Sequence, residues 1–162
     1  MDNDDVSTFK SGFAVAKFTN FKTDGSAGHD ATFADADFFL MRVAEAYLNF
    51  AEADARINGG QTTEEGTAAI NAIRKRAHAS TREDKGYSLS DICDEWSREF
   101  YFEGRRRMDL IRFNRYGGNV NYNWQWKGGT KEGRNFSENL NIFAIPTNEL
   151  TSNKNLTQNP GY

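Results

Sequence analysis

The stretch MRVAEAYLNFAEADARI, residues 41–57, decides how this chain is expected to fold. Its apolar side chains recur every three or four residues, which is the spacing that places them on one face of an α-helix. With Leu40 included, the pattern predicts an amphipathic helix over residues 37–57. The run Asn58-Gly59-Gly60 then ends the helix, because glycine accepts the left-handed backbone found after helix C-termini.

A second helix is predicted only a few residues later. Thr62 and Glu65 have the spacing of a capping box, which marks a helix start. The apolar stripe behind them consists of Ala69, Ile70, Ile73 and Ala77. So short a connection predicts an antiparallel helical hairpin over residues 36–79, similar in shape to one tetratricopeptide unit. A single hairpin of this kind leaves an apolar face uncovered, since helical repeats gain stability by stacking on neighbours.

Residues 88–116 predict a third, long helix that starts near Ser88 or Ser90 and ends by Tyr116. One side of it carries Ile92, Trp96, Phe100, Glu103, Arg107, Leu110 and Ile111. The flanking segments lack this periodicity: residues 6–32 suggest one short strand and a loop, and residues 117–162 a loop-rich tail with one short extended pair. The expected fold is a single, mainly α domain over residues 1–162, with irregular loops and minor β structure.

The composition argues against several classes of function. The chain has 162 residues, a net charge of −3 and a pI of about 5.4, so it lacks the positive field that draws proteins to nucleic acid. Cys93 is the only cysteine, which excludes an internal disulfide and a cysteine-rich zinc site. No apolar run reaches the ~20 residues that span a bilayer, and the acidic first residues do not resemble a signal peptide.

Glu99 and Glu103 lie four residues apart on the predicted third helix and face the same side. Paired carboxylates invite two chemical hypotheses, a glycosidase and a metal site. His29 and His78 lack the Glu-x-x-His spacing of metal sites in helical bundles, which argues against the second. The favoured interpretation is a structural ion-pair network in which arginine forks neutralise the acids. Its expected members are Arg42, Glu99, Glu103, Arg106 and Arg107.

Tyr122, Trp124 and Trp126 alternate along the loop after the third helix. In an extended segment all three rings would project from one face, where the C–H side of a sugar ring could stack on them. These three residues are therefore the candidate ligand-binding residues. The alternative is that the rings pack inward and anchor an irregular loop against the helices.

Several short motifs, in a fixed order and spacing, carry a resemblance to a known family. They are MRVAEAYL (41–48), AINAIRKRA (69–77), REFYFEG (98–104), DLIR (109–112), WKGG (126–129), IP (145–146) and QNPGY (158–162). On these motifs the chain resembles the C-terminal portion of the SusD/RagB group of outer-membrane, nutrient-binding lipoproteins of Bacteroidetes.

The resemblance implies a surface protein that binds oligosaccharide or starch-like polysaccharide and works with a SusC-like, TonB-dependent transporter. It implies no catalysis, and neither a metal nor a cofactor is expected. It also implies further helical repeats and a lipid-anchored segment upstream, which would cover the open face of the hairpin. In the family the aromatic sugar platform lies largely in those upstream segments. The alternative function is a helical scaffold that docks a protein partner and has no ligand site of its own.

Overall fold

The first helix, α1, spans Val43–Ile57 in the computed structural model, which describes residue 15 and residues 17–162. It ends where the sequence predicts, but it begins later than residue 37. Arg42, the residue before it, has an extended backbone with φ −152° and ψ 158°. The preceding apolar side chains are exposed, Leu40 and Met41 each at 83%. A helical turn needs packing partners to be stable in water, and these side chains stay exposed instead of packing.

The second helix, α2, spans Glu64–Arg76 and packs against α1 through small and branched side chains. Its N-terminus is capped differently from the prediction, because the N-cap is Thr63 and no Thr62–Glu65 box forms. Instead the carboxylate of Asp54 on α1 accepts hydrogen bonds from the Thr63 N–H at 2.7 Å and the Thr63 hydroxyl at 3.0 Å. The cap therefore also ties the two helices of the hairpin together.

The prediction of one long helix over residues 88–116 is wrong in one respect. The structure has two shorter helices in this range. They are α3, Leu89–Glu99, and α4, Arg106–Arg112. Between them Phe102 and Gly104 take left-handed backbone conformations, with φ 61° and 74°, which no α-helix accommodates. The start is as predicted: Ser88 and Asp91 form a capping box at the N-terminus of α3.

The rest of the described chain has little regular structure. A short helix, α5, spans Thr147–Ser152, and two single 3₁₀ turns precede it. The expected extended pair in the tail is reduced to one parallel bridge between Gly117 and Phe136. Residues 6–14 and 16 of the predicted N-terminal strand lie outside the described residues, and residues 17–32 form loops with one bridge between Phe21 and Ala27.

The fold is therefore mainly helical, as predicted, and the described residues form isolated bridges but no sheet. The core lies where α1, α2 and α3 meet. It is built from Ala44, Leu48, Ala51, Ala55, Ala69, Ile70, Ile73, Tyr87, Ile92, Trp96 and Phe100. None of the helices in the described part has the length and apolar character needed to cross a membrane. The likeness of the hairpin to a tetratricopeptide unit stays a prediction.

Candidate functional site: a charged core and an aromatic loop

A row of guanidinium groups and aromatic rings runs along the contact between α1 and the α3–α4 segment. Each guanidinium carbon lies 4.1 to 5.3 Å from the centre of at least one ring, within the range of cation–π attraction. In order, the row consists of Arg42, Phe100, Arg105, Trp96, Arg112, Phe113 and Arg56. We call these seven residues the arginine ladder. It joins both ends of α1 to the helices opposite, so it positions α1 against α3 and α4.

Glu52 lies at the middle of the arginine ladder and is only 5% exposed. It accepts hydrogen bonds from the Trp96 indole N–H at 3.0 Å, from Arg112 at 3.0 to 3.2 Å and from Arg56 at 2.8 and 3.0 Å. A buried carboxylate is tolerated only when it is paired and hydrogen-bonded in this way. The side chain of Glu52 thus links three members of the ladder.

Glu99 and Glu103 meet cations rather than an open cleft. Arg42 donates to both oxygens of Glu103, at 2.8 and 2.9 Å, and also to Glu99. Arg76 donates to the second oxygen of Glu99, and Lys17 pairs with Glu103. With both carboxylates occupied and at most 9% exposed, neither oxygen pair is placed to protonate or attack a sugar. No group of three metal-ligating side chains occurs among the residues the structure describes.

Arg106 and Arg107, the other two expected members of the network, hydrogen-bond elsewhere. Arg106 donates to the carbonyl oxygen of Cys93 at 3.0 Å and to the hydroxyl of Tyr122 at 3.2 Å. Arg107 donates to the carbonyl oxygen of Leu140 at 2.8 Å and stacks over the Phe143 ring at 3.9 Å. These two arginines therefore fasten the loop-rich tail to the helices.

The aromatic loop does not form the extended face that the alternation suggests. Its backbone turns at Trp126, which has φ 66°, and enters a 3₁₀ turn at Lys127–Gly129. Tyr122 and Trp124 meet edge to face at a centroid distance of 6.0 Å, and Tyr122 also packs under Arg115 at 4.7 Å. Trp124 is the most exposed of the three rings, at 37%. Trp124 is thus the ring of this loop with the most surface left in solvent, while Tyr122 anchors the loop.

Lys127 is the buried centre of this loop, at 2% exposure. Its ammonium group donates to the carbonyl oxygen of Tyr122 at 3.3 Å and lies 4.6 and 5.0 Å from the ring centres of Trp124 and Phe136. Burial lowers the pKa of Lys127. The ammonium therefore lies over the Trp124 indole and helps to hold the ring in place.

The comparisons with known proteins agree with the motifs. The model of the SusD family matches residues 1–162. The starch-binding protein SusD of Bacteroides thetaiotaomicron is 41% identical over all 162 residues. The chain belongs to the SusD family. It spans only 28% of the length of that SusD protein, and the match falls on the C-terminal part.

Two solved structures have a fold similar to the one described above. A SusD superfamily protein from Parabacteroides distasonis is 26% identical, with a TM-score of 0.63, over 80% of this chain and 28% of its own. The surface glycan-binding protein A from Bacteroides uniformis is 27% identical, with a TM-score of 0.62, over 86% of this chain and 30% of its own. The names of these relatives describe binding or family membership and no chemical reaction.

Sequence reasoning missed several charged residues of this SusD-family chain. Glu52, Glu95 and Asp109 are buried carboxylates, and Arg105 pairs with Glu45 on α1 at 2.6 Å. The role of Glu52 could have been predicted from the sequence, because it adjoins the apolar stripe of α1 and Arg56 follows four residues later. A carboxylate beside a buried stripe indicates a partner from another element, which here is Arg112.

The paired carboxylates have shifted pKa values that bear on how stability depends on pH. Burial alone would raise the pKa of Glu99 and of Glu103, but hydrogen bonds from Arg76 and Arg42 to Glu99, and from Arg42 and Lys17 to Glu103, outweigh it and lower both values below 4.5. The hydrogen bond from Arg82 likewise holds the pKa of Asp91 well below its usual range. Asp109 has the opposite sign, because burial raises its pKa.

A carboxylate with a lowered folded pKa stabilises the fold above its unfolded pKa, and this stabilisation is lost as the pH falls through the folded value. We therefore expect the urea midpoint of unfolding to be level near neutral pH and to fall once the pH drops below about 4.5. In a Glu99→Gln/Glu103→Gln chain the midpoint should start lower and fall less steeply. Equal slopes for the two chains would show that these pairs do not cause the acid sensitivity.

Proposed function

We propose that this chain is the C-terminal scaffold of a glycan-binding protein that acts at the outer membrane of the cell. The observation that carries the proposal is the 41% identity to the starch-binding protein SusD along the whole chain. The intact protein would be lipid-anchored through an upstream segment and would present oligosaccharide or starch-like polysaccharide to a SusC-like, TonB-dependent transporter. It would act by contact and would break no bond in the glycan.

Within that protein, the arginine ladder supports a structural role for the helices. Its charged groups are consumed by partners inside the chain, so they are not free to recognise a ligand. The exposed part of Trp124 is the feature of the tail that best fits a sugar, because an indole covers the C–H side of a pyranose by dispersion. We propose Trp124 as a contact residue, with Tyr122 and Trp126 shaping the loop around it.

The test is affinity electrophoresis of this chain in native gels that contain a soluble starch. Retardation relative to a starch-free gel is expected, and Trp124→Ala should weaken apparent binding about threefold to tenfold, the loss of one stacking contact. Phe33→Ala is the matched control, because it also removes an exposed ring, at 75% exposure. Equal retardation of the wild type and Trp124→Ala would place the contact elsewhere.

A second candidate function is favoured by an apolar groove lined by residues of α1 and α2. The groove has a volume of about 470 Å³ and is lined by Ala46, Tyr47, Phe50, Glu65, Ala68 and Ala69. Phe50 is 52% exposed, and exposed rings in a groove are typical of helix-docking surfaces. A chain that captures the TonB-dependent transporter but migrates unretarded in every glycan gel would favour this scaffold function over glycan contact.

A further inference from the structure

Residues 17–42, here called the N-terminal loop, form a unit with its own internal hydrogen bonds. The side chain of Asn20 donates to the carbonyl oxygen of Asp30 at 2.7 Å and accepts from the Asp35 N–H at 3.0 Å. The N–H of Gly28 donates to the carbonyl oxygen of Asn20 at 2.8 Å. Three parts of the loop therefore converge on one asparagine, which ties them together.

Apolar burial does not hold the N-terminal loop against the helices. Phe21 and Phe33, two of its large side chains, are 70% and 75% exposed. Phe18 and Phe38 stack on each other across the base of the loop at a centroid distance of 6.1 Å. Since these rings contribute little contact with the core, the position of the loop depends on its polar contacts.

Those polar contacts converge on the turn between α3 and α4. Lys17 donates to the carbonyl oxygen of Glu99 at 3.0 Å and pairs with the Glu103 carboxylate. Arg42, at the other end, binds both oxygens of the same Glu103 carboxylate and also Glu99. In the described part of the chain, the side-chain hydrogen bonds that join the loop to the helices end on Glu99 and Glu103.

The two ends of the loop are not held equally. Arg42 is continuous with α1, stacks on Phe100 at 4.1 Å and retains Glu99 as a partner when Glu103 is removed. Lys17 has a side chain that is 31% exposed, and its only carboxylate partner in the described residues is Glu103; without it the ammonium would keep the Glu99 carbonyl oxygen, a single uncharged acceptor. Because the ammonium side of this pair is partly exposed, the contact can open without unfolding the helices around it.

We propose that Glu103 is a latch for the N-terminal loop. Its carboxylate holds the Lys17 end down, and Arg42 at the start of α1 is the hinge. Loss of the Glu103 charge frees the loop at the Lys17 end as an intact unit, while α1 to α4 stay folded.

Limited digestion with trypsin tests the latch, because the protease must draw a lysine or arginine side chain into its own acidic pocket. In the wild-type chain, cleavage after the exposed Lys22 should precede cleavage after Lys17 and Arg42. In Glu103→Ala the rate after Lys17, relative to Lys22, should rise by about tenfold, as expected for a locally opened segment. Cleavage after Arg42 should remain slow.

Two further chains make the outcome decisive. Glu103→Gln removes the charge with almost no change in size and should behave like Glu103→Ala, whereas Glu83→Ala removes an exposed carboxylate elsewhere and should leave the ratio unchanged. An unchanged Lys17 ratio in both Glu103 variants overturns the proposal. A general rise that includes cleavage after Lys75 and Arg98 on the helices overturns it too, because the loop would not then open alone.

Discussion

Replacing Trp96 by alanine is expected to remove about 4 kcal/mol of unfolding free energy, the usual cost of deleting a large buried aromatic side chain. Trp96 is fully buried and lies 5.1 Å from the Phe100 ring. The guanidinium groups of Arg105 and Arg112 also stack over its ring, and its indole N–H donates a hydrogen bond to Glu52. Since a domain of this size has only about 5–15 kcal/mol of unfolding free energy, this single change removes a large fraction of the total.

The measurement is urea unfolding followed by far-ultraviolet circular dichroism. Trp124→Ala is the matched control, because it removes the same side chain from a site that is 37% exposed, and it should cost less than about 1 kcal/mol. Trp96→Phe should fall between the two, since it keeps a ring but leaves Glu52 without the indole N–H. A Trp96→Ala chain as stable as Trp124→Ala would mean that the core is not organised around Trp96.

Replacing Glu52 by alanine is the other large loss, about 3 kcal/mol, because it breaks a buried ion-pair network, although Arg112 keeps its second carboxylate partner, Asp109. The Trp96 N–H would be buried without an acceptor, and Arg112 and Arg56 would lose the carboxylate that orients them over the rings of the arginine ladder. Glu52→Gln keeps an acceptor oxygen for Trp96 and removes only the charge, so a smaller loss is expected.

Glu64→Ala is the control for Glu52, since Glu64 is an exposed glutamate in the first turn of α2. Its removal should cost less than about 1 kcal/mol, the value of a favourable helix-end charge. The loss of unfolding free energy in each of the two variants is measured by chemical unfolding at two salt concentrations. If Glu52→Ala and Glu64→Ala lowered the unfolding free energy by the same small amount, Glu52 would not link the helices.

The sequence predicted the hairpin well but could not predict the break between α3 and α4. The end of α1 is signalled locally by Asn58-Gly59-Gly60, and α2 has a clear apolar stripe. In contrast, Trp96, Phe100, Glu103 and Arg107 keep helical spacing straight through the break, and a lone glycine at 104 is compatible with a helix. The turn places Glu103 against Arg42 and Lys17, and these partners come from distant parts of the chain.

The candidate site shows the same limit. Residue types revealed that Glu99 and Glu103 need cations, but Arg76 and Lys17 as partners depend on how the elements pack. The alternation of Tyr122, Trp124 and Trp126 suggested a common face. The left-handed backbone at Trp126 breaks this face, and the sequence does not predict it because tryptophan rarely adopts that conformation. Residue spacing predicts which side chains share a face of a regular helix or strand. The ion pairs of Glu99 and Glu103 and the turn at Trp126 both depend on irregular backbone, which spacing does not predict.

Charged and aromatic partners across the helix contact hold α1 against α3 and α4. A double-mutant cycle with Glu52→Gln and Arg112→Met measures this, because the two residues are 60 positions apart in the sequence and meet at 3.0 Å. We expect a coupling free energy of at least about 1 kcal/mol, as found for residues in one ion-pair network. Effects that add to within about 0.3 kcal/mol would contradict it.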